Sequence, residues 1–400
     1  MPAKKIIIVG GGNAGLSVAA QLLKKDRSLQ ISIIDPSSKH YYQPAWTLVG
    51  AGIFDINKTV RNEADYIPKG TTWIKDAVVS FLPDENKVVC SSGKSYEYDA
   101  MIVCPGIQLD WGKIKGFKET LGKNEVSCNY SFDLAPYTWE LIKNFKGGTA
   151  IFTNPVSPVK CGGAPHKIMY LACDYWRKQG ILDKCNVHYL SGASVIFGIK
   201  EYADTLSEVV KKDNIKAHFG VNVVEIDGNI KTVFYEEKNP EGIPVKKEMK
   251  FDICHAVPPQ SAPDFLKNSP LSDPKNPYGY VEVNMNTLQH SRYDNIFALG
   301  DYTNAPCSKT GAAIRKQAPV VVQNVLAVLA KKPMAGDYTG YSACPIPTQY
   351  GKLMLAEFDY SNKPTMTFPF DQAKPRWSMW ILKTKLLPWL YWNKILKGTA

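Results

Sequence analysis

The chain has 400 residues, of which 44% are hydrophobic and 21% charged, a composition that fits two or three globular domains. Its formal net charge of +11 favours a partner that carries negative charge, either nucleic acid, an anionic lipid surface or an anionic substrate. No basic run lies in the context of a nucleic-acid-binding motif, so we exclude nucleic acid as the weakest of the three.

Nine cysteines are scattered along the chain without a C-x-x-C pair. This odd number and these spacings argue against a disulfide scaffold, a zinc site or a thioredoxin-type pair. We therefore expect no metal, and we expect most cysteines to be buried as small hydrophobic residues. The first strand begins within five residues of Met1, which leaves no room for a targeting peptide, so we expect a bacterial protein or a processed form.

The N-terminus carries a nucleotide-binding pattern. A strand is predicted over 5–10 and a helix over 16–25, and the turn between them contains Gly10, Gly12 and Gly15 in the spacing G-x-G-x-x-G. A second strand, over 31–34, ends in Asp35, 20 residues beyond Gly15. We expect the glycines to admit a pyrophosphate at a helix N-terminus and Asp35 to bind ribose hydroxyls, rather than a tight turn without ligand.

Two further apolar strands end in glycine, one at Gly106 and one at Gly300-Asp301. Together with the N-terminal pattern, they resemble the flavoprotein disulfide reductase superfamily, which has two dinucleotide-binding domains. The resemblance implies that the first domain binds FAD rather than NAD, with Asp301 beside the flavin. The helix that starts near Gly311 would direct its positive dipole end at the reduced ring.

The middle of the chain predicts the second dinucleotide-binding domain, with strands over 149–153 and 186–190 and helices over 165–178 and 200–212. The predicted fold class is α/β, with two Rossmann-like domains and a C-terminal amphipathic helical region that binds membrane. The expected boundaries are 1–148 and 258–335 for the FAD domain, 149–257 for the second domain and 336–400 for the C-terminal region.

The second domain lacks the glycine-rich turn that an NADH site requires. After the strand over 149–153 come Pro155 and Pro158, which fix the backbone and remove N–H donors where a pyrophosphate would bind. Gly162 and Gly163 follow too late to serve that turn. We therefore expect the pyridine-nucleotide site to be lost and electrons to enter by another route.

Two cysteines lie in loops where a purely structural thiol is unusual. Cys161 stands at a predicted helix N-terminus between Lys160 and Lys167, a setting that stabilises a thiolate. Cys344 lies in a short loop bounded by glycine and proline. From the residues alone, a buried cysteine at a domain junction and a reactive cysteine remain equal alternatives for Cys161.

Long motifs around these cysteines resemble the sulfide:quinone oxidoreductase family, specifically the group that includes the mitochondrial enzyme, and the resemblance covers essentially the whole chain. The motifs are Tyr-Tyr-Gln-Pro-Ala-Trp-Thr-Leu-Val-Gly-Ala-Gly over 41–52, Pro-Val-Lys-Cys-Gly-Gly-Ala-Pro over 158–165, Thr-Asn over 303–304, Ser-Lys-Thr over 308–310, Tyr-Ser-Ala-Cys-Pro over 341–345 and Leu-Ala-Glu-Phe-Asp-Tyr over 355–360.

The resemblance implies that Cys161 and Cys344 form the redox pair beside the flavin, bridged by a disulfide or by one with an extra sulfur. It implies oxidation of hydrogen sulfide to sulfane sulfur, transfer of that sulfur to sulfite, glutathione or a similar small acceptor, and reduction of ubiquinone or menaquinone. Cys128 stands where other branches carry a third functional cysteine, and we expect it to be a spare thiol. The candidate FAD contacts are Gly10, Gly12, Asn13, Ala14, Gly15, Asp35, Gln43, Val78, Gly106, Gly300, Asp301, Lys309, Gly311, Ala312, Ala313 and Ile314.

The composition of the C-terminal segment predicts a region that binds the surface of a membrane. No acidic residue follows Asp371, whereas six lysines and arginines do, and four of the nine tryptophans lie between Trp377 and Trp392. We expect two short helices, divided by Pro388, that lie in the interface of a bacterial plasma membrane or a mitochondrial inner membrane. A helical hairpin on the protein surface or a contact between copies in a homo-oligomer are the alternatives.

For the quinone, the sequence suggests Tyr350, Phe358 and Tyr391, aromatic residues of the C-terminal third. His166 is considered as a base, although a solvated histidine is the simpler interpretation. The competing functions are a type II NADH dehydrogenase, a soluble sulfide dehydrogenase with a cytochrome partner, and a non-catalytic flavin-binding sensor or sulfide-holding protein.

Overall fold

The computed structural model describes residues 3–400. Its first layer is a five-stranded parallel sheet that begins with Lys5–Val9, an apolar strand buried along all but its first residue. The helix Asn13–Lys25 follows this strand directly, and the long helix Gly311–Leu329 packs beside it. In spatial order, the strands are Ile296–Ala298, Ala100–Val103, Lys5–Val9, Gln30–Ile34 and Thr71–Ile74.

A second five-stranded parallel sheet forms the other half of the molecule. Its helices include Ala135–Asn144, Ala164–Lys178 and Lys200–Lys212, and the second and third of these confirm the predicted helices of the middle region. In spatial order, its strands are Val126–Ser127, Ile253–His255, Gly148–Asn154, Cys185–Ser191 and Lys216–Phe219. The strand Val126–Ser127 precedes the predicted boundary at residue 149, so this sheet draws on an earlier stretch of chain than the sequence suggested.

Smaller antiparallel sheets complete the fold. One hairpin, Ser342–Gln349 with Lys352–Phe358, carries Cys344 and packs against the helix Ala164–Lys178. The remaining strands are Lys39–Tyr41 with Val60–Asn62, Gln108–Leu109 with Gln260–Ser261, Val78–Leu82 with Lys87–Cys90 and Ser95–Glu97, and Asn222–Asp227 with Thr232–Lys238 and Pro244–Lys250. The short helices are Trp46–Val49, Phe117–Thr120 and Asp264–Lys267. The two parallel layers confirm the α/β class.

The C-terminal region is helical from Trp377 to Ile395, and Pro388 does not divide it. The α-helical turns Trp377–Ile381 and Leu387–Leu390 alternate with wider π turns, and Pro388 falls in the first turn of the second α-helical stretch. The prediction of two separate helices is therefore wrong. Proline has no N–H to donate, but in the first turn of a helical stretch the missing hydrogen bond does not interrupt the helix. Across residues 3–400, no helix combines the length and apolar composition that crossing a bilayer requires.

Candidate active site

A cavity of about 630 Å³ runs from the glycine turn of the first sheet to the C-terminal helical segment. The start of the helix Gly311–Leu329 and the loop that carries Cys161 also form its wall. Thr310 caps this helix, because its hydroxyl oxygen accepts a hydrogen bond of 3.1 Å from the Ala313 N–H. The cavity therefore has two helix N-termini on its wall, one behind the glycine turn and one at Thr310.

The glycine turn is shaped for close approach of backbone and ligand. A side chain at Gly10 would stand 2.3 Å from the Cys104 carbonyl oxygen, and one at Gly15 would stand 1.9 Å from the Gly10 oxygen. A side chain at Gly12 would meet nothing within 4 Å, because this residue faces the cavity. Asp35 accepts a hydrogen bond of 2.6 Å from the Gly11 N–H, which fixes its carboxylate at the cavity edge. This geometry fits a dinucleotide.

Most predicted FAD contacts line the cavity. Gly10 and Gly15 do not, because they lie behind the turn where strand and helix touch. Ala313 does not line it either, since its side chain is buried inside the helix. Val78 is also absent from the lining: its side chain is 5% exposed and packs in the hydrophobic core of the first domain. The predicted residues that line the cavity are Gly12, Asn13, Ala14, Asp35, Gln43, Gly106, Gly300, Asp301, Lys309, Gly311, Ala312 and Ile314.

The structure brings together the two candidate cysteines, and Cys344 lies in the strand Ser342–Gln349 rather than in the predicted loop. The Cys161 and Cys344 sulfur atoms lie 3.4 Å apart although 183 residues separate them in the chain. Cys161 lines the cavity, whereas Cys344 is 1% exposed and lies behind it. Gly163 makes this packing possible, because a side chain there would stand 2.6 Å from the Cys344 sulfur. The two thiols are placed so that a small movement would join them in a disulfide.

A buried cation stabilises the thiolate of Cys161. Lys167, 4% exposed, donates a hydrogen bond of 3.0 Å to the Cys161 sulfur. The hydrogen bond from the Cys344 thiol and the charge of Lys167 hold the pKa of Cys161 well below its ordinary value. The hydrogen bond to Cys161 and burial raise the pKa of Cys344 well above its ordinary value. Cys161 is thus the nucleophilic thiolate of the pair and Cys344 the neutral thiol.

Two more lysines border the same part of the cavity. Lys383 donates a hydrogen bond of 2.8 Å to the Pro44 carbonyl oxygen, and burial lowers its pKa to about 8. Lys160 binds the side-chain oxygen of Gln43, and burial lowers its pKa as well. Sequence reasoning missed Lys383 because no local pattern links position 383 to position 161. Together with Lys167, these lysines give the cavity a positive potential that suits a small anion.

The loop from residue 155 to residue 163 carries Cys161 and follows the strand Gly148–Asn154, where the sequence predicted that an NADH-binding turn is missing. Its backbone is fixed on both sides: the Cys161 N–H donates to the Lys309 carbonyl oxygen at 2.6 Å, and the Lys160 N–H donates to the Gln260 side chain at 2.8 Å. Val156 lies against Gly192, where a side chain would come within 2.5 Å of it. Two backbone N–H groups of the loop, those of Lys160 and Cys161, are therefore used to fix the position of Cys161.

Two of the three quinone candidates lie outside the cavity. The Tyr350 hydroxyl donates to the Ala51 carbonyl oxygen at 2.6 Å, and Phe358 packs edge-on against Phe197, 5.9 Å between ring centres. Both rings pack against the hydrophobic core of the second domain, and neither lines the cavity. Tyr391 does line the cavity. The sequence did not predict the apolar part of the cavity lining, which consists of Leu355, Phe368, Leu382, Leu387 and Leu390.

The remaining candidates take structural positions. Cys128 is fully buried, and burial raises its pKa to about 12, which agrees with a spare thiol. His166 is 1% exposed rather than solvated, and burial lowers its pKa to about 3, so it stays neutral and is a poor base. Lys309 holds its own loop, with hydrogen bonds to the Thr303 and Ala305 carbonyl oxygens. Within residues 3–400, no cluster of side chains is suited to hold a metal ion.

Comparison with known proteins identifies the family. Residues 4–132 match the model of the pyridine nucleotide-disulphide oxidoreductases. The mitochondrial sulfide:quinone oxidoreductase of Dictyostelium discoideum is 46% identical over 98% of this chain and 86% of its own length. This chain belongs to the sulfide:quinone oxidoreductase family. The mitochondrial member from Mus musculus is 39% identical, again over 98% of this chain and 86% of its own length.

The fold of a solved sulfide:quinone oxidoreductase agrees with this assignment. The crystal structure from Aquifex aeolicus superimposes with a TM-score of 0.83 at 22% identity, covering 99% of this chain and 92% of that one. The match includes both parallel layers and the C-terminal region, so the family's overall architecture extends over essentially all of the chain.

Proposed function

We propose that this protein oxidises hydrogen sulfide to sulfane sulfur and passes the electrons to a membrane quinone. Family membership supports the reaction class. The observation that carries the proposal is the pair of thiols 3.4 Å apart, one of them lining a cavity that begins at a dinucleotide-binding turn. The proposed redox residues are Cys161 and Cys344.

The cavity is proposed to hold FAD. The cleft fits this cofactor because Gly12 leaves room beside the glycine turn, Asp35 offers a carboxylate to a ribose, and Thr310 starts a helix that faces the cavity. Gln43, Asp301 and Lys309 would contribute polar contacts farther along the cavity. Bound FAD would supply the two-electron acceptor that the cysteines themselves lack.

The cysteines would carry the sulfur chemistry. When the pair is oxidised to a disulfide, hydrosulfide attacks the Cys344 sulfur, which forms a persulfide on Cys344 and releases Cys161 as a thiolate. Lys167 stabilises that leaving thiolate. A nucleophile such as sulfite or glutathione then removes the outer sulfur. The Cys344 thiol and the Cys161 thiolate then rejoin as a disulfide, releasing one proton and the two electrons that bound FAD would accept, which balances the oxidation of one sulfide.

The lysines would concentrate the anionic substrate. Hydrosulfide and sulfite are both anions, and Lys160, Lys167 and Lys383 border the cavity near Cys161. A positive, partly buried cleft raises the local concentration of small anions and speeds their arrival. This arrangement also accounts for the position of Lys160 and Lys383 in a place where burial lowers the pKa of both side chains.

The quinone would enter from the membrane through the apolar wall formed by Leu355, Phe368, Leu382, Leu387 and Leu390. The outer face of the adjacent helical segment exposes Trp377 by 67% and Trp389 by 51%. Tryptophans beside lysines favour the interface of an anionic bilayer. We therefore propose a peripheral membrane protein that reduces ubiquinone or menaquinone at a bacterial plasma membrane or a mitochondrial inner membrane.

The test is the flavin spectrum of anaerobic holoenzyme after addition of sulfide. We expect wild-type protein to bleach and to recover its colour with quinone, whereas Cys161→Ser and Cys344→Ser should retain FAD and lose bleaching by roughly a thousandfold or more. Cys128→Ser is the control, because this thiol is buried like Cys344 but accepts a hydrogen bond from the Tyr130 N–H instead of contacting another cysteine. Unchanged bleaching in both of the first two variants would remove the pair from the mechanism.

A further inference from the structure

The C-terminal segment Leu387–Ile395 has two faces with different tasks. Its inner face supplies Leu387, Leu390, Tyr391 and Ile395 to the wall of the cofactor cavity. On its outer face Trp389 is 51% exposed. The same few turns of helix therefore touch both the cavity and the surface that we assign to the membrane.

A buried chain of hydrogen bonds ties the inner face to the first domain. The Tyr391 hydroxyl lies 2.6 Å from His40 Nε2, and His40 Nδ1 lies 2.9 Å from Glu63 Oε2. All three side chains are at most 6% exposed, and all three line the cavity. Because Tyr391 is distant in sequence from His40 and Glu63, these hydrogen bonds form only when the C-terminal segment is packed on the first domain.

The end of this chain is aimed at the glycine turn. Glu63 Oε1 is buried and has no hydrogen-bond partner among residues 3–400, and a side chain on Gly11 would stand 2.8 Å from it. An unpaired buried carboxylate oxygen calls for a donor, since leaving it unsatisfied is costly. A ribose hydroxyl is a suitable donor, whereas a phosphate oxygen is not.

Further contacts hold the segment on the helix that follows the glycine turn. The Ser17 hydroxyl donates to the Ile395 carbonyl oxygen at 3.1 Å, and the Lys24 ammonium donates to the Gly398 carbonyl oxygen at 3.0 Å. Trp392 packs on Tyr66, with ring centres 5.0 Å apart. These contacts seat the segment on the same helix whose N-terminus faces the cavity.

We propose that Leu387–Ile395 is a clasp that retains FAD and that binding to an anionic bilayer tightens it. The Tyr391–His40–Glu63 hydrogen bonds close the clasp from inside. Insertion of Trp389, and of Trp377 in the helical turns before the clasp, holds it from outside. A bilayer that binds the closed segment better than the open one slows cofactor loss by mass action. This inference rests on the FAD and membrane assignments of the proposed function.

The experiment measures the rate at which diluted holoenzyme releases FAD, followed by ultrafiltration and flavin fluorescence. Tyr391→Phe removes only the hydroxyl and should speed release by roughly tenfold. Tyr202→Phe is the matched control: its hydroxyl is equally buried and donates to the Glu357 carbonyl oxygen at 2.9 Å, and it lies outside the cavity lining. It should leave the release rate unchanged.

A second arm adds vesicles of phosphatidylglycerol and phosphatidylcholine. We expect them to slow FAD release from the wild type severalfold, and we expect the double variant Trp377→Ser/Trp389→Ser to lose this protection while releasing FAD at the wild-type rate in solution. Equal release from Tyr391→Phe and the wild type, or no effect of vesicles on the wild type, overturns the clasp. Purified protein that binds no FAD at all would instead overturn the proposed function itself.

Discussion

Cys161 has a backbone conformation that its residue type rarely adopts. Its φ angle is +55°, in the left-handed region that favours glycine. The flanking hydrogen bonds, from its own N–H to the Lys309 oxygen and from the Ala164 N–H to its carbonyl oxygen, hold it there. Strain of this kind persists where the surrounding structure fixes it and often where the side chain has a chemical task. Here it directs the sulfur toward both Lys167 and Cys344.

The role of Lys167 can be tested in the reduced protein. Lys167→Met keeps the apolar stem and removes the cation, so the pKa of Cys161 should rise and its alkylation by iodoacetamide at pH 7 should fall by roughly tenfold or more. The sign follows from the lowered pKa: the wild-type thiol remains a thiolate at pH values where an ordinary cysteine is protonated. The measurement is the pH profile of alkylation at Cys161, read by peptide mass spectrometry.

Lys178→Met provides the control for that experiment. Lys178 lies on the same helix with its side chain 53% exposed, and it pairs with Asp174 instead of a cysteine. The pH profile of Cys161 alkylation in Lys178→Met should coincide with that of the wild type. A Lys167→Met profile that also coincides with the wild type would show that Lys167 does not set the thiolate, and the electrostatic account of Cys161 would be wrong.

Residue-level predictions agree with the cavity lining where a local motif carried them. The glycine turn, Asp35 and the lysines beside Cys161 follow from short-range spacing, and the structure places these residues together. Tyr350 and Phe358 were predicted from residue type alone, and they proved to be packing residues. Nothing local distinguishes an aromatic side chain in a core from one in a cavity, because only the tertiary fold decides which face it meets.

At the scale of elements, the loop after the strand Gly148–Asn154 is the feature from which we predict that the protein does not use NADH. Its prolines restrict the backbone, and its hydrogen bonds to Lys309 and Gln260 fix the position of Cys161. Elements themselves were well predicted: the helices Ala164–Lys178 and Lys200–Lys212 agree with their hydrophobic periodicity to within a residue. The hairpin that brings Cys344 to this loop could not be derived, since its contact spans 183 residues.

The loop gives a direct prediction about electron donors. In anaerobic stopped-flow experiments, sulfide should reduce the flavin of the holoenzyme, whereas NADH at the same concentration should do so at least roughly a thousandfold more slowly, because no backbone cradle binds its pyrophosphate. Dithionite provides the control that the flavin is reducible. Bleaching by NADH as fast as by sulfide would mean that a working nicotinamide site exists and would favour the type II NADH dehydrogenase interpretation.

On the scale of the whole molecule, the C-terminal segment packs against the rest of the protein more than its sequence suggested. Of its four tryptophans, Trp377 and Trp389 are exposed, whereas Trp392 is 7% exposed and packs on the first domain. Tryptophan spacing alone could not separate the two sets, because the π turns shift the helical phase. The surface that we propose for lipid is narrower than the sequence suggested, and it contains these two tryptophans and four exposed lysines, Lys374, Lys385, Lys394 and Lys397.

Two separable forces should therefore hold the protein on a membrane. Sedimentation with phosphatidylglycerol vesicles should weaken as salt rises from about 50 mM to about 500 mM, because the lysines act over a distance that ions screen. Trp377→Ser/Trp389→Ser should lower binding by roughly tenfold at both salt concentrations, since insertion of a ring is not screened. Lys385→Gln/Lys394→Gln should instead remove part of the salt dependence and leave binding at high salt unchanged. Equal binding of the tryptophan variant and the wild type at high salt would assign the exposed rings to another partner, and the quinone would then need a route that does not pass beneath this segment.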